Sequence, residues 1–347
     1  MKILVTGGAG FLGLHLAHYL AQKKQEVTLV DITDFEKKEY PNNCNFVKAD
    51  IRNVQSMKQL TKGVDAVIHA AAALPLWKSE EIFDINVNGT KNILKASFHN
   101  KVKRFIYISS TAVYGVPKKH PIYEHDPLVG VGAYGQSKID AEQLCEGYRK
   151  KGTLVTIIRP KTFVGTHRLG VFEILFDWIK DGKQIPVIGS GNNRYQLLDV
   201  EDLVEAIYRL IILKDAKKVN NTFNIGAKGF QTVKRDLQEL FDYARSGAKI
   251  LPTPAWLVKK ALWFFETVKL SPLYRWVYDT ADKDSYVSIN RLTDTLHWKP
   301  KYSNAQALIK SYRWYLDHYK EIKSRSPGVT HRVGWKQGIL GFLKKFF

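Results

Sequence analysis

At 347 residues the chain can form one large or two modest domains, and its 45% hydrophobic content is ordinary for a globular protein. Its formal net charge of +20 makes nucleic acid, an anionic membrane surface and acidic substrates candidate partners. The only two cysteines, Cys44 and Cys145, match no metal-binding spacing and favour a reducing compartment over a disulfide framework. No apolar run reaches about 18 residues and the first residues are predicted as a strand, so neither a membrane-spanning helix nor a signal peptide is expected.

A glycine-rich turn near the N-terminus follows a short apolar run. Residues 2–5 are predicted as a buried strand, and Gly7, Gly10 and Gly13 follow in the spacing G-x-x-G-x-x-G. Gly7 allows the sharp turn, Gly10 lets the backbone approach a pyrophosphate, and Gly13 lets the next helix lie close to the strand. Helical apolar spacing begins directly afterwards, at Phe11, Leu12, Leu16 and Leu20. This arrangement predicts a dinucleotide site, with the pyrophosphate at the N-terminus of that helix.

An acidic residue ends the second predicted strand, which spans residues 26–30. Asp31 follows Gly10 by about 20 residues, where a carboxylate can accept hydrogen bonds from the adenosine ribose hydroxyls. The same carboxylate would repel the 2′-phosphate of NADP(H). The sequence therefore predicts NAD(H) as the cofactor.

Predicted strands and helices alternate over most of the chain. Further strands are predicted at 45–48, 65–69, 104–108, 155–159 and 221–225, with helices at about 53–61, 80–99, 134–150 and 232–245. Such alternation implies right-handed βαβ units and therefore an α/β fold with a doubly wound parallel sheet of the Rossmann type. The small residues 70–73 leave room for the cofactor beyond one strand, and His69 before them is interpreted as structural.

Hydroxyl and basic side chains follow two of these strands. Ser110 and Thr111 lie just past strand 104–108, at the sheet edge where such folds place ligands. Tyr134 and Lys138 are at positions i and i+4 of a predicted helix and share one face. Since a nearby ammonium lowers the pKa of a tyrosine, Tyr134 is predicted to exchange a proton with a substrate oxygen that Ser110 also binds.

These residues resemble the motifs of the extended short-chain dehydrogenase/reductases, the NAD-dependent epimerase/dehydratase family. The matching stretches are residues 6–13, Asp31, 50–51, 69–72, 86–90, 109–115 and the Tyr134-x-x-x-Lys138 pair, and the resemblance covers about residues 1–320. It implies that Asp50 and Ile51 contact the adenine, that Lys138 also binds the nicotinamide ribose, and that Asn86 supports this lysine. Ala70, Ala71, Arg159 and Pro160 complete the expected cofactor-binding set.

The resemblance also implies two interleaved domains. Residues 1–165, completed by about 195–230, would form the NAD-binding Rossmann domain. Residues 166–194 and 231–322 would form a smaller substrate domain over the carboxyl edge of the sheet. Residues 254–278 are rich in aromatic side chains, namely Trp256, Trp263, Phe264, Phe265, Tyr274 and Trp276. We expect these side chains to form a core helix pair, and a wall of the substrate site is the alternative.

The residues that follow Ser110 separate the reaction types of this family. Sugar 4,6-dehydratases carry an Asp-Glu pair there and uronic acid decarboxylases a Glu, whereas this chain has Thr111 and Ala112. Elimination and decarboxylation are therefore disfavoured. Oxidation or reduction of an alcohol or ketone, or a 4-epimerase cycle, is left. A non-catalytic NAD(P)-binding scaffold is a further alternative, although such proteins typically lose the Tyr-Lys pair.

Two positions bear on the substrate. Arg194 resembles the arginine with which nucleotide-sugar enzymes bind a diphosphate, and the fork of an arginine suits phosphate. Thr162 stands where soluble UDP-sugar epimerases usually carry an asparagine. That departure and the aromatic segment point towards a lipid-linked sugar, or towards a sterol- or isoprenoid-like alcohol as in 3β-hydroxysteroid dehydrogenases. We expect an activated sugar, linked to a nucleotide or to a polyprenyl diphosphate.

Residues 323–347 form a basic amphipathic tail without acidic side chains. On a helix, one side would carry Trp335, Ile339, Phe342, Leu343 and Phe346, flanked by lysines. This pattern is typical of a helix in an anionic membrane interface, which would hold a cytoplasmic enzyme at the inner face of the membrane. A helix docked on its own domain, or on a second subunit of a homodimer, fits equally well.

No nucleic-acid-binding module is recognised, so nucleic acid is not an expected partner.

Overall fold

The computed structural model describes residues 1–75, 77–267, 275–324, 332 and 344. Its strands are β1 Lys2–Thr6, β2 Glu26–Asp31, β3 Cys44–Lys48, β4 Ala66–His69, β5 Arg104–Ile108, β6 Val155–Pro160, β7 Phe163–Val164, β8 Gln184–Ile188, β9 Leu198–Asp199, β10 Thr222–Ile225 and β11 Lys249–Thr253. Seven of them form one parallel sheet in the order β10-β6-β5-β4-β1-β2-β3. The doubly wound parallel sheet predicted from the alternating pattern is confirmed.

Helices connect these strands. They are α1 Phe11–Gln22, α2 Val54–Leu60, α3 Ser79–Phe83, α4 Thr90–His99, α5 Gly132–Lys150, α6 Val171–Lys180, α7 Val200–Ile212, α8 Ala216–Val219, α9 Val233–Ala244, α10 Ala255–Thr267, α11 Arg275–Thr280, α12 Asn290–Leu296, α13 Asn304–Asp317 and α14 Tyr319–Ser324. A π-helical turn, Asp84–Gly89, joins α3 to α4, so the predicted helix 80–99 is one continuous but irregular helical segment. A short 3-10 helix, Thr111–Tyr114, follows β5.

Successive side chains of a strand point to opposite faces of the sheet. Hydrophobic clusters cover both faces, so both sets of side chains are buried. In β1, Ile3 and Val5 pack into the cluster that contains α1 and α7, whereas Leu4 packs into the cluster on the other face. The strand order reverses between β1 and β4, so the helices after these strands diverge and leave a crevice at the carboxyl edge. That crevice contains the candidate site.

A smaller layer lies beyond the sheet. The pairs β7–β9 and β8–β11 are both parallel, and α6, α9 and α13 contribute to a separate hydrophobic cluster beside them. The sequence pattern predicts a strand over 195–200, of which β9 is the observed part, but it misses β8 and β11. Each of these contains a proline, Pro186 or Pro252, which weakens a strand signal and is tolerated in an edge pair.

The aromatic segment departs from expectation. Trp256, Trp263 and Phe264 are 65%, 56% and 56% exposed on α10, so the prediction that they form a core is wrong. The side chains of the other three predicted aromatic residues, Phe265, Tyr274 and Trp276, lie outside the described part. None of the helices in the described ranges combines the length and hydropathy needed to cross a bilayer.

The C-terminal tail is described at only a few positions. Lys323 pairs with Glu173 at 2.9 Å, and Lys344 pairs with Asp177 at 2.6 Å, both on α6. Arg332 pairs with Glu39. These three side chains therefore contact other parts of their own chain. The predicted amphipathic helix itself lies outside the described residues, so its attachment to a membrane or a second subunit stays a prediction.

Candidate active site

The glycine turn after β1 is tightly constrained. Gly7 has φ +72°, and a Cβ there would lie 2.8 Å from the backbone nitrogen of Ala71. A Cβ on Gly13 would lie 2.3 Å from the carbonyl oxygen of Gly7, so α1 approaches the turn as closely as a glycine permits. Gly10 is the N-cap of α1 and has no side chain to block the free N–H groups of the first helical turn. The turn therefore presents bare backbone donors to an anion.

A groove runs from this turn along the carboxyl edge of the sheet. Most of the predicted cofactor residues line it, namely Gly7, Gly10, Phe11, Leu12, Asp31, Asp50, Ile51, Ala70, Ala71 and Lys138, and Tyr134 lies at its far end. Gly13, Asn86, Arg159 and Pro160 do not line it. We refer to this lined space as the groove.

Two carboxylates mark the end of the groove remote from Tyr134. Asp31 accepts hydrogen bonds from the backbone nitrogens of Ala9 at 3.0 Å and Thr33 at 3.1 Å, which fix its orientation. Its Oδ1 also accepts from the Thr33 hydroxyl at 3.1 Å, whereas Oδ2, which accepts from Ala9, retains a lone pair for a further donor. Asp50 accepts from the Arg52 guanidinium at 2.6 Å, and this contact holds its pKa below the usual range. Asp31 therefore retains acceptor capacity, whereas both oxygens of Asp50 already accept from Arg52.

Asn86 is held by hydrogen bonds between two segments beside the groove. Its side chain accepts from the backbone nitrogen of Ala73 at 2.8 Å and donates to Ser137 Oγ at 3.0 Å. It therefore joins the small-residue stretch to α5, and its support of Lys138 stays a prediction. His69 is also structural, as predicted, since its ring nitrogens bond to Thr6 and Thr90 in the core.

Tyr134, Lys138 and Ser110 converge where the groove ends. Tyr134 and Lys138 both face the groove from α5, and Tyr134 is hydrogen-bonded to Ser110. The Lys138 ammonium donates to the carbonyl oxygen of Ile108 at 3.0 Å and lies 5.9 Å from the centre of the Tyr134 ring. Ser110 itself is oriented by accepting from the backbone nitrogen of Ala112 at 3.1 Å. The three side chains form one hydroxyl-binding corner.

The titration of this corner differs from the expectation. Burial raises the pKa of Tyr134, and the result is about 12. The hydrogen bond with Ser110 and the nearby charge of Arg168 lower this pKa, but by less than burial raises it. Burial also lowers the pKa of Lys138 to about 8. The predicted lowering of the tyrosine pKa by Lys138 is therefore wrong for the protein alone, because desolvation of the phenolate outweighs the nearby charges.

The Arg159 side chain is buried in the core. Its guanidinium pairs with Glu142 at 2.5 Å and donates to the Tyr114 hydroxyl at 2.7 Å. Ser109 donates to the same Glu142 at 2.5 Å. This buried network fixes β5, β6 and α5 relative to one another, so Arg159 supports the site from beneath and does not reach the groove.

A second pocket adjoins the groove on the far side of Tyr134. Leu74, Ser109, Tyr134 and Phe163 line both spaces, and the pocket is further lined by Pro75, Ser110, Thr111, Ala112, Val131, Pro160, Lys161, Thr162 and Arg168. The predicted residues Thr111, Thr162 and Pro160 thus belong to this pocket. We refer to it as the inner pocket.

Sequence reasoning missed two basic side chains of the inner pocket. Lys161 and Arg168 are both buried, at 1% and 7% exposure. Lys161 directly follows the fully buried strand β6, and a lysine in that position is itself a signal, since unpaired buried lysines are rare. No such local signal identifies Arg168, which reaches the pocket from the loop before α6 and stacks near Phe11 and Phe163.

Arg194 lies outside both spaces. Its guanidinium is sandwiched near the rings of Phe230 and Tyr286, 4.8 and 4.6 Å from their centres. The side chain is exposed and forms no ion pair with any residue in the described ranges. An oriented arginine fork without a carboxylate partner is suited to an anionic oxygen group.

The fold and groove define a Rossmann-type dinucleotide-binding enzyme with a Tyr-Lys-Ser corner. The model of the NAD dependent epimerase/dehydratase family matches residues 3–226, and the chain belongs to this family. It is an enzyme of that family, and its cofactor is NAD. The groove fits this cofactor, because a Cβ at Gly7 or Gly13 would fill the turn and Asp31 retains acceptor capacity for ribose hydroxyls.

Relatives cover almost the whole chain. An uncharacterised protein of Sinorhizobium fredii is 33% identical over 98% of this chain and 85% of its own length. The UDP-N-acetyl-alpha-D-glucosaminuronate decarboxylase of Bacillus cytotoxicus is 31% identical over 73% of this chain and 83% of its own length. The crystal structure of UDP-glucuronic acid 4-epimerase from Bacillus cereus in complex with NAD is similar with a TM-score of 0.76. It is 23% identical and covers 92% of this chain and 100% of its own, so it supports the fold.

Proposed function

We propose that this protein is an NAD-dependent 4-epimerase or dehydrogenase of a nucleotide-linked sugar. One observation carries the choice of reaction. The described lining of the inner pocket includes hydroxyl groups and two basic side chains but no aspartate or glutamate. An elimination or a decarboxylation assisted by a carboxylate has no candidate group there, whereas proton exchange at a sugar hydroxyl needs only the Tyr134–Ser110 pair.

The chain's own residues supply binding, orientation and a proton path. Asp31 and the glycine turn would hold the adenosine and pyrophosphate of NAD, and Lys138 would bind at the nicotinamide end. When bound, NAD accepts a hydride from a carbon atom and can return it. Ser110 would orient the sugar hydroxyl, and Tyr134 would take the proton of that hydroxyl and give it back to a carbonyl oxygen.

The high pKa of Tyr134 determines whether the phenol gives or takes a proton. With a pKa of about 12 the phenol is protonated at neutral pH, so the protein alone is poised to donate a proton to a carbonyl. Removal of a proton from an alcohol needs a lower tyrosine pKa. A bound cofactor that brings positive charge to this corner would produce the lowering, since an adjacent cation favours phenolate.

A nucleotide sugar fits the site better than the alternatives. Arg194 presents an unpaired fork suited to a diphosphate, and the relatives with a named activity act on nucleotide sugars. A polyprenyl diphosphate would share that diphosphate. A sterol-like alcohol is disfavoured, because burying its rings against the wall of the inner pocket would leave the Lys161 ammonium in apolar surroundings.

The test is product analysis with the NAD-loaded protein. UDP- and dTDP-linked hexoses, a short polyprenyl-diphosphate hexose and a 3β-hydroxysteroid are incubated separately and the products are identified by NMR. We expect interconversion of C4 epimers, or stoichiometric reduction of NAD, with a nucleotide sugar. Formation of a 4-keto-6-deoxy sugar or a pentose would show the assignment of the reaction to be wrong, and turnover of the steroid alone would overturn the substrate class.

A further inference from the structure

Lys161 is a buried ammonium group on the wall of the inner pocket. It directly follows β6, is 1% exposed, and lines the same pocket as Ser110 and Tyr134. Its Nζ donates to Ser285 Oγ at 2.6 Å and lies 4.8 Å from the centre of the Tyr195 ring. Both contacts are with neutral side chains. The hydroxyl and the ring leave the positive charge uncompensated.

No carboxylate of the described residues contacts the Lys161 ammonium. It forms no ion pair with a residue of the described ranges, and its pKa is lowered to about 7 by burial alone. The titratable groups around it are Tyr195 and Tyr134, which are neutral at physiological pH, and His120, whose pKa Lys161 helps to lower. Asp284, an exposed residue next to Ser285, raises the pKa of the same histidine but forms no ion pair with Lys161. The other charged side chain of the pocket, Arg168, has the same sign.

A lone buried ammonium destabilises the protein that contains it. Transfer of a charge out of water is costly unless a counter-charge or several hydrogen bonds replace the lost hydration. An apolar side chain of similar length would fill the same space beside Tyr195 without that cost. A destabilising charge placed on the wall of a ligand pocket is therefore best explained by the ligand, which brings the missing partner.

We propose that Lys161 binds a carboxylate on the sugar ring that reacts at Tyr134, so that the substrate is a nucleotide-linked uronic acid. This inference rests on the proposed function and names its substrate class. The diphosphate is assigned to Arg194, outside the inner pocket, so the anion at Lys161 is a separate group of the same substrate. A neutral acceptor such as an N-acetyl oxygen would satisfy one donor but leave the charge unpaired.

Binding of a carboxylate also changes the protonation of Lys161. With a pKa of about 7, Lys161 is partly neutral in the free protein at pH 7.5. An adjacent carboxylate favours the ammonium and raises the pKa, so the complex takes up protons from the buffer. A neutral sugar supplies no such charge and should bind with little proton uptake. Proton uptake thus separates a charge-pairing role from a packing role.

The test compares two ligands that differ at one carbon. UDP-glucuronate and UDP-glucose are titrated into the NAD-loaded protein by calorimetry, in buffers of different ionisation enthalpy. We expect UDP-glucuronate to bind about tenfold to a hundredfold more tightly, as a charged hydrogen-bonded pair provides, and to take up protons. Lys161→Met should abolish both the preference and the uptake, while UDP-glucose affinity changes by less than about threefold. Lys91→Met, an exposed lysine of α4, is the matched control and should retain both.

The outcomes separate this inference from the function on which it rests. Equal affinity for the two ligands, a preference that survives in Lys161→Met, or tighter binding of UDP-N-acetylglucosamine than of UDP-glucuronate would each overturn the role of Lys161. The proposed function would stand in all three cases as long as a nucleotide sugar is turned over through Tyr134. If the panel of nucleotide sugars neither binds nor reacts, both proposals fall together. The thermal unfolding midpoint of Lys161→Met shows whether the variant is folded.

Discussion

The two halves of the site differ in how they are built. The glycine turn of the groove is shaped by close approaches of backbone, such as Gly7 against Ala71 and Gly13 against Gly7. The inner pocket includes two buried basic side chains, Lys161 and Arg168, and Lys161 forms no ion pair with a residue of the described ranges. The first half is suited to one fixed ligand. Under the proposal above, the second half would set the specificity for the substrate, because replacement of Lys161 alone changes the charge of the inner pocket.

Removal of the Tyr134 hydroxyl should have the largest effect and should separate the two halves. We expect Tyr134→Phe to lose roughly two to four orders of magnitude in turnover, the usual scale for a general acid–base group, while cofactor affinity is kept. Steady-state kinetics on the true substrate and a titration with NAD measure the two effects. Tyr123→Phe, an exposed tyrosine, is the control. Retention of most of the activity in Tyr134→Phe would remove the proton-transfer role.

The groove was easier to predict from the sequence than the inner pocket, because more of its residues belong to local patterns. The glycine spacing, Asp31 and the Tyr134–Lys138 pair are local patterns, and the predicted sheet and the lining of most of the groove agree with them. The ion pair of Arg159 with Glu142 and the hydrogen bond of Lys161 to Ser285 join residues that only the tertiary fold brings together. No local spacing encodes them, so Arg159 was placed in the wrong environment.

The pH dependence of stability should reveal the unpaired charge of the inner pocket. Burial lowers the pKa of Lys161 from 10.5 to about 7, so between these values the unfolded chain binds one proton more than the folded chain. Stability of the wild type relative to Lys161→Met should therefore rise with pH, by up to about 1.4 kcal/mol per pH unit. Below pH 7 both states are protonated and the difference should be constant.

Urea unfolding of the unliganded proteins between pH 6 and 9.5 measures this difference. Lys91→Met, the exposed control, should show a difference that does not change with pH. A flat difference for Lys161→Met would mean that Lys161 has a charge partner in the folded protein. That result would remove the contrast between the two halves of the site.

Cofactor choice should depend on one carboxylate of the groove. We expect the wild type to bind NAD(H) at least about tenfold more tightly than NADP(H), since Asp31 would repel a 2′-phosphate. Asp31→Asn keeps an oxygen acceptor for the backbone nitrogen of Ala9 but removes the charge, so the discrimination should shrink severalfold. Asp34→Asn, an exposed neighbour paired with Lys48, should leave it unchanged. Calorimetric titration of both cofactors decides, and equal binding by the wild type would place Asp31 away from the ribose.

The smallest expected effect tests whether the groove is as self-contained as its sequence suggests. Arg332, from the C-terminal tail, donates to the carbonyl oxygen of Ala9 and to the Tyr40 hydroxyl, both at 2.9 Å, and pairs with Glu39. Tyr40 in turn donates to the carbonyl oxygen of Gly8 at 3.0 Å. The glycine turn is therefore held from outside by a residue more than 300 positions away. Its geometry should depend in part on the docked tail.

We expect Arg332→Gln to weaken NAD binding by about two- to tenfold, the scale of one lost charge-assisted hydrogen bond, with a smaller change in turnover at saturating NAD. Arg332→Lys should restore part of the affinity, because a lysine can still reach one acceptor. Lys344→Gln removes one positive charge from the same tail, at its contact with Asp177. This contact does not involve the glycine turn, so NAD affinity should stay within about twofold of the wild type. Equal losses in the two glutamine variants would assign the effect to docking of the tail as a whole. If neither glutamine variant loses NAD affinity, the groove keeps its shape without these contacts of the tail. The groove would then depend on local contacts alone, as its sequence patterns imply, in contrast to the inner pocket.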